Sequence, residues 1–209
     1  MIGLRRGRTV DIIDSMPKTN LREFDYKKVA RLDADMWRAY YNHQFFRLFL
    51  LLMRLIKTHL GFGWPLTLRL AYYSAWAATY YRIKRHSGIN NARVLGNLVK
   101  FYGLISRNSV NAFDYTKVAE LELAWWDIHR RSIRNNKRLE EALAKSAAAT
   151  YNVPARMLAE YAHYRAEAMI LPRHEGDKQA VPTDWEHVTR LLTKAWEALN
   201  SAVRHNSPV

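Results

Sequence analysis

The chain says one phrase twice. FDYKKVARLDADMWRAYY at residues 24–41 returns as FDYTKVAELELAWWDIHR at residues 113–130, and at a shift of 89 residues 8 of the 18 positions are identical. Unrelated stretches of that length share about one, so the phrase marks an internal duplication. Whatever the first copy folds into, the second must be able to fold into beside it. Both copies open with a helix start. Asp25 and Asp114 stand at the N-cap, where a carboxylate accepts the backbone N–H bonds that a first turn leaves unmade, and Phe24 and Phe113 precede them as staples for Val29 and Val118. Apolar residues then recur at helical spacing: Val29, Leu32 and Met36 in one copy, Val118, Leu121, Trp125 and Ile128 in the other.

The shift holds without a gap to Pro65 and Pro154, and proline just inside a helix start predicts a second helix at each. A third follows in each half, near residues 92–107 and 184–205, the later copy displaced to a shift of about 94 by its longer loop, EGDKQAVPT. No alternating apolar pattern argues for a strand. The expectation is an all-α helical bundle of about six helices, built from two tandem three-helix pseudo-repeats at residues 24–112 and 113–206. The two share one core as a single domain, behind an N-terminal extension of residues 1–23. The first helix is expected to run unbroken over residues 26–58, and its counterpart to be interrupted by RNNKR at residues 134–138.

The chain has no cysteine, which excludes disulfides, thiol nucleophiles, zinc–thiolate sites and iron–sulfur clusters. The start, MIGLRRGRTVDIIDSMP, lacks the apolar core of a secretory signal. The most apolar run, residues 48–53 between Arg47 and Arg54, falls far short of the roughly 20 residues that span a bilayer. A cytoplasmic protein without a transmembrane span is the expectation. The formal charge is +14 and unevenly placed: residues 1–110 hold 19 basic and 6 acidic side chains, residues 111–209 hold 14 and 13. Between Asp35 and Asp114 there is no acidic residue at all. Such asymmetry speaks to partners rather than to fold.

Chemistry is most suggestive inside the repeated phrase. Glu122 and His129 share a helix face with Val118 and Trp125, and Asp33 occupies the repeat position of Glu122. A carboxylate on a core-facing stripe is costly unless a cation, a metal or hydrogen-bond donors meet it. Further on, Glu160, His163 and Glu167 stand three and four residues apart and project from one helix face, the spacing by which carboxylate-bridged dimetal bundles ligate iron or manganese. Such bundles use two Glu-x-x-His motifs, and this chain has one. Glu122, His129, Glu160, His163, Glu167 and Asp33 are therefore the candidate metal ligands, for Fe, Mn or Zn in an oxidoreductase or a hydrolase. The plainer reading pairs the same acids with arginines such as Arg165 or with tyrosine hydroxyls.

The first half raises a different class. AYYSAWAATYY, residues 71–81, is followed by RIKRH, and the cations Arg82, Lys84, Arg85, Arg93 and Lys100 are candidate contacts to an anionic partner, nucleic acid or anionic lipid. Tyr72, Trp76 and Tyr80 fall at helical spacing, which core packing explains equally well. The stretch 45–56, opening at Phe45 and closing at Ile56, is apolar on most of its circumference. Such a helix belongs in the centre of a bundle, in a homodimer face, or on a membrane surface. Whether the chain is an enzyme is left open by its sequence. The readings are a metal-dependent enzyme, a non-enzymatic basic binding protein, and a dimeric assembly protein.

Overall fold

A computed structural model describes residues 18–83, 88–131, 136–172 and 183–204. Among the described residues the chain is all-helical: α1 (Tyr26–Tyr41), α2 (Phe45–Leu60), α3 (Trp64–Ile83), α4 (Gly88–Arg107), α5 (Tyr115–Arg131), α6 (Asn136–Tyr151), a 3-10 turn (Ala155–Leu158), α7 (Ala159–Ile170) and α8 (Trp185–Arg204). Each helix packs on the next in the chain, and α8 packs on α1, so the eight close into a ring. One cluster of buried side chains draws on both halves, from Leu21 and Val29 to Leu199 and Val203.

The caps read from the sequence are present. Asp25 accepts the Lys28 N–H at 3.2 Å, Asp114 accepts those of Thr116 at 3.1 Å and Lys117 at 3.0 Å, and Phe24 and Phe113 are buried beside Val29 and Val118. A helix also starts at Trp64–Pro65, while after Pro154 the chain first makes the 3-10 turn and only then α7.

One expectation needs correction. Among the described residues there are eight helices, not six, and the first helix does not run on to residue 58. It stops at Tyr41: His43 takes a left-handed φ of 56°, its N–H bonds the Tyr40 carbonyl at 3.1 Å, and that of Gln44 bonds Ala39 at 2.9 Å. The chain thereby turns back so that α2 packs against α1. The counterpart is likewise two helices, α5 to Arg131 and α6 from Asn136, so among the described residues each half carries four helices rather than three. The N-terminal extension is described from residue 18 onward. Its last residues, 18–23, join the bundle: Thr19 makes an isolated parallel bridge with Ser109, Leu21 is buried, and Arg22 donates to the Tyr151 carbonyl at 2.7 Å, capping the end of α6.

Side chains 94 residues apart do matching work in α4 and α8. Val94 and Val188 are fully buried, as nearly are Leu98 and Leu192. Ser106 donates to the Phe113 carbonyl at 2.8 Å and accepts its N–H at 3.0 Å, while Asn200 donates to the Phe24 carbonyl at 3.3 Å. Each of these helices thus anchors, near its own end, the start of the next helix around the ring. All eight helices then face one interior space.

Candidate functional site

That space is a cavity of ≈250 Å³ with a wall from every helix, Met36 from α1 and Leu55 from α2 round to Leu199 from α8. Most of the wall is apolar, and the polar groups in it are few and specific.

Asp33 is the most buried of them, 1% exposed. Its Oδ2 accepts Arg165 Nη1 at 2.8 Å and Trp196 Nε1 at 2.9 Å, and its Oδ1 has no hydrogen-bond partner. An unmet buried acceptor costs about 1–3 kcal/mol. Arg165 crosses from α7 to reach it, its guanidinium lying 5.6 Å from the Trp37 ring and 5.5 Å from the Trp196 ring. Burial works against that charge, and the Asp33 carboxylate more than offsets it, so the guanidinium holds its proton above the ordinary range.

Glu122 meets a different set. Trp125 Nε1 donates to one oxygen at 2.7 Å, Trp126 Nε1 to the other at 3.0 Å, and the hydroxyls of Tyr102 and Ser146 bond it as well. Burial pushes the carboxyl up from its usual range, and the hydrogen bonds from Trp125, Tyr102 and Trp126 oppose that. His59, on α2, bonds the Tyr151 hydroxyl through Nε2 at 2.7 Å and packs edge-on to Phe24 and Trp196, both at 4.8 Å. Burial lowers it to about 4, against a raising effect from Asp33, so it is neutral at pH 7. The tyrosines 102, 151 and 161 are all raised by burial and keep their protons.

The six candidate metal ligands are not brought together. Asp33 and Glu122 line the cavity. His129 turns its Nε2 to the Met169 carbonyl at 3.3 Å. Glu160 and His163 are exposed, and His163 pairs with Glu140 at 3.0 Å and Glu167 at 3.6 Å on the outside of the bundle. Among the described residues no three His, Asp or Glu gather as a metal would need. The spacing of Glu160, His163 and Glu167 does put them on one face, but it is the outer face of α7, whose buried side is Tyr161, Ala162 and Ala166. The plainer reading describes the acids: Asp33 pairs with Arg165, and Glu122 with indoles and hydroxyls. His59, Tyr102, Tyr151 and Trp196 were not singled out by sequence reasoning. His59 carries a usable signal, since it follows Leu52 and Leu55 at helical spacing.

A second feature lies outside. The stretch 45–56 is not a central helix, because of its residues only Leu51 and Ile56 are buried, and Phe45 and Phe46 are 54% and 79% exposed. On α3, Trp64, Leu68, Tyr72 and Trp76 are spaced by four and exposed as a stripe, so Tyr72 and Trp76 are not core residues either. The two helices have apolar residues to spare because one side of each suffices to cover the interior. At the ends of the hairpin Lys57 lies 5.0 Å from the Trp64 ring and Arg82 5.3 Å from the Phe45 ring. Arg93 and Lys100 of α4 sit over Tyr80 and Tyr73 at 5.6 and 5.7 Å. Lys84 and Arg85 lie outside the described residues. All charges on α2 and α3 are positive, and no described helix is long and apolar enough to cross a membrane. The chain matches no family model, no curated protein and no solved structure.

Proposed function

We propose that the chain is a non-enzymatic binding protein that docks on an anionic lipid surface through the α2–α3 hairpin. The observation that carries this reading is the coincidence of exposed Phe46, Leu50, Trp64, Leu68, Tyr72 and Trp76 with a stretch free of acidic residues. A helix lying in the interface buries aromatic and aliphatic side chains at the level of the headgroups, and flanking cations meet anionic lipid, each adding roughly 1 kcal/mol. Arg47, Arg54, Lys57, Arg69 and Arg82 supply such cations. A second copy of the chain is a poorer occupant, because facing hairpins bring like charges together. Nucleic acid suits the cations and rings but gives Leu50, Leu68 and Phe46 nothing apolar to bury against. We also read the two halves as descendants of one unit, now four helices each, since Ser106 and Asn200 act alike. Only the first half then specialised as a basic surface.

Sedimentation with phosphatidylcholine vesicles, with and without phosphatidylserine, tests the lipid reading. Binding to the anionic vesicles that weakens as salt rises is the expected result. Vesicles that leave the protein in the supernatant while single-stranded DNA retains it, or light scattering that gives a dimer blind to vesicles, would overturn it.

A further inference from the structure

We propose that the cavity lined by the eight described helices is a binding site for a small primary amine carried on an apolar, preferably aromatic, body. This stands apart from any surface the hairpin docks on. Three observations converge. First, Asp33 lines the cavity, and on this side chain, 1% exposed, Oδ1 has no hydrogen-bond partner while Oδ2 already holds two donors. An acceptor placed so asks for a donor, and an ammonium brings three.

Second, the charges in the wall do not cancel. Asp33 and Arg165 neutralise each other at 2.8 Å, which leaves Glu122. Donor-only indoles address both of its oxygens, an arrangement that suits the carboxylate rather than the acid. His59 adds no positive charge at neutral pH, since burial holds it near 4. With Glu122 ionised the wall carries one uncompensated negative charge, and a cationic guest both balances it and opposes the burial that raises this carboxyl. An anionic guest meets the opposite: the one guanidinium in the wall is already taken by Asp33.

Third, the wall suits an organic cation and not a bare metal. Trp125, Trp126, Tyr161 and Trp196 present rings, which attract an alkylammonium through cation–π contact. Asp33, Glu122 and His59 all line the cavity, but among the described residues no three His, Asp or Glu gather as a metal would need. A cavity of 150 Å³ admits benzene, so ≈250 Å³ fits a guest of about ten non-hydrogen atoms.

The probe is 2-phenylethylamine, with n-propylbenzene as its neutral isostere, titrated calorimetrically into the full chain at pH 7. The amine is expected to bind at one site, about tenfold or more tighter than the isostere. Leu55→Trp, which fills the cavity from α2, is expected to abolish binding. Glu122→Gln is expected to erase the preference for the amine, and the far-ultraviolet circular dichroism of each variant establishes that it folds. No heat with the amine, equal affinity for the two probes, or undiminished binding to folded Leu55→Trp each overturns the proposal. Vesicle sedimentation of the same variants reads the hairpin separately, so failure here leaves that result intact.

Discussion

Asp33 and Glu122, at the same position of the repeated phrase and 89 residues apart, line one cavity, and each takes a hydrogen bond from a ring on the helix that precedes its own around the ring of helices. Trp196 of α8 donates to Asp33 and Tyr102 of α4 bonds Glu122, and those two rings are 94 residues apart, as are Ser106 and Asn200. The bundle is thus braced across its seams by matching polar contacts. The halves then part company: Arg165 completes the Asp33 brace with a cation, whereas Trp125, Trp126 and Ser146 complete that of Glu122 with neutral donors. One seam holds an ion pair, and the other a buried carboxyl met by neutral donors alone.

The Asp33–Arg165 pair predicts an asymmetric mutational response. Removing one partner strands a buried charge, so Asp33→Ala should cost about 3–5 kcal/mol, and the loss should be read from urea midpoints. The double change Asp33→Leu/Arg165→Met removes both charges and keeps most of the volume, and it should recover much of the loss. A double variant as unstable as Asp33→Ala alone would show that packing, not the stranded guanidinium, sets the cost.

His59 sets an acid limb. Its pKa is about 4 in the fold against about 6.5 in an unfolded chain. The unfolded chain therefore binds the proton first as pH falls. The stability contributed by neutral His59 is complete above pH 6.5 and is lost progressively as pH drops toward 4. Between pH 7 and pH 5 that amounts to about 2 kcal/mol. Glu122, raised by burial, acts in the other sense and gains stability as pH falls toward its unfolded value, so it offsets part of the limb. His59→Gln should flatten the fall in urea midpoint between these two pH values. An unchanged slope would assign the limb to other groups.

Ser106 and Asn200 should be needed for the two seams in similar measure. Ser106→Ala removes both of its bonds to the Phe113 backbone in a buried setting and should cost about 1–3 kcal/mol, with Asn200→Ala toward the lower end because it loses one longer bond to Phe24. Thermal unfolding of the two variants measures this. Ser106→Thr, which keeps a hydroxyl, should retain part of the stability if its methyl is accommodated.

Much of the frame was readable in the chain. Asp25 and Asp114 act as caps because the chemistry of a first turn is local, and Asp33 and Glu122 point inward because their heptad neighbours Val29 and Val118 do. The break after Tyr41 was not readable: YNHQ has no glycine or proline, and His43 adopts its left-handed φ only because α2 gains more by folding back on α1 than by continuing it. The Glu160–His163 spacing does put both on one face, but which face was not readable, since α7 has mostly alanines on its buried side and offers little apolar contrast. The same ambiguity misplaced the stretch 45–56. When nearly every position is apolar, periodicity cannot name the face that meets the core.

Neighbouring positions on α2 therefore should separate folding from surface function. Leu51 is buried, and Leu51→Ala should cost about 2–5 kcal/mol through lost contacts and the cavity it leaves. Phe46, 79% exposed, touches little of the bundle, and Phe46→Ser should change stability by no more than about 0.5 kcal/mol. If lipid occupies the hairpin, the ranking reverses for vesicle binding. Phe46→Ser combined with Trp76→Ser should then lower the partition to anionic vesicles by about tenfold or more, since each ring withdrawn from the interface forfeits its burial. Arg54→Glu should act through charge instead, weakening binding at low salt and converging on the wild type as salt rises. A double variant that keeps full vesicle affinity, or an Arg54→Glu defect that ignores salt, would place the docking surface elsewhere on the molecule.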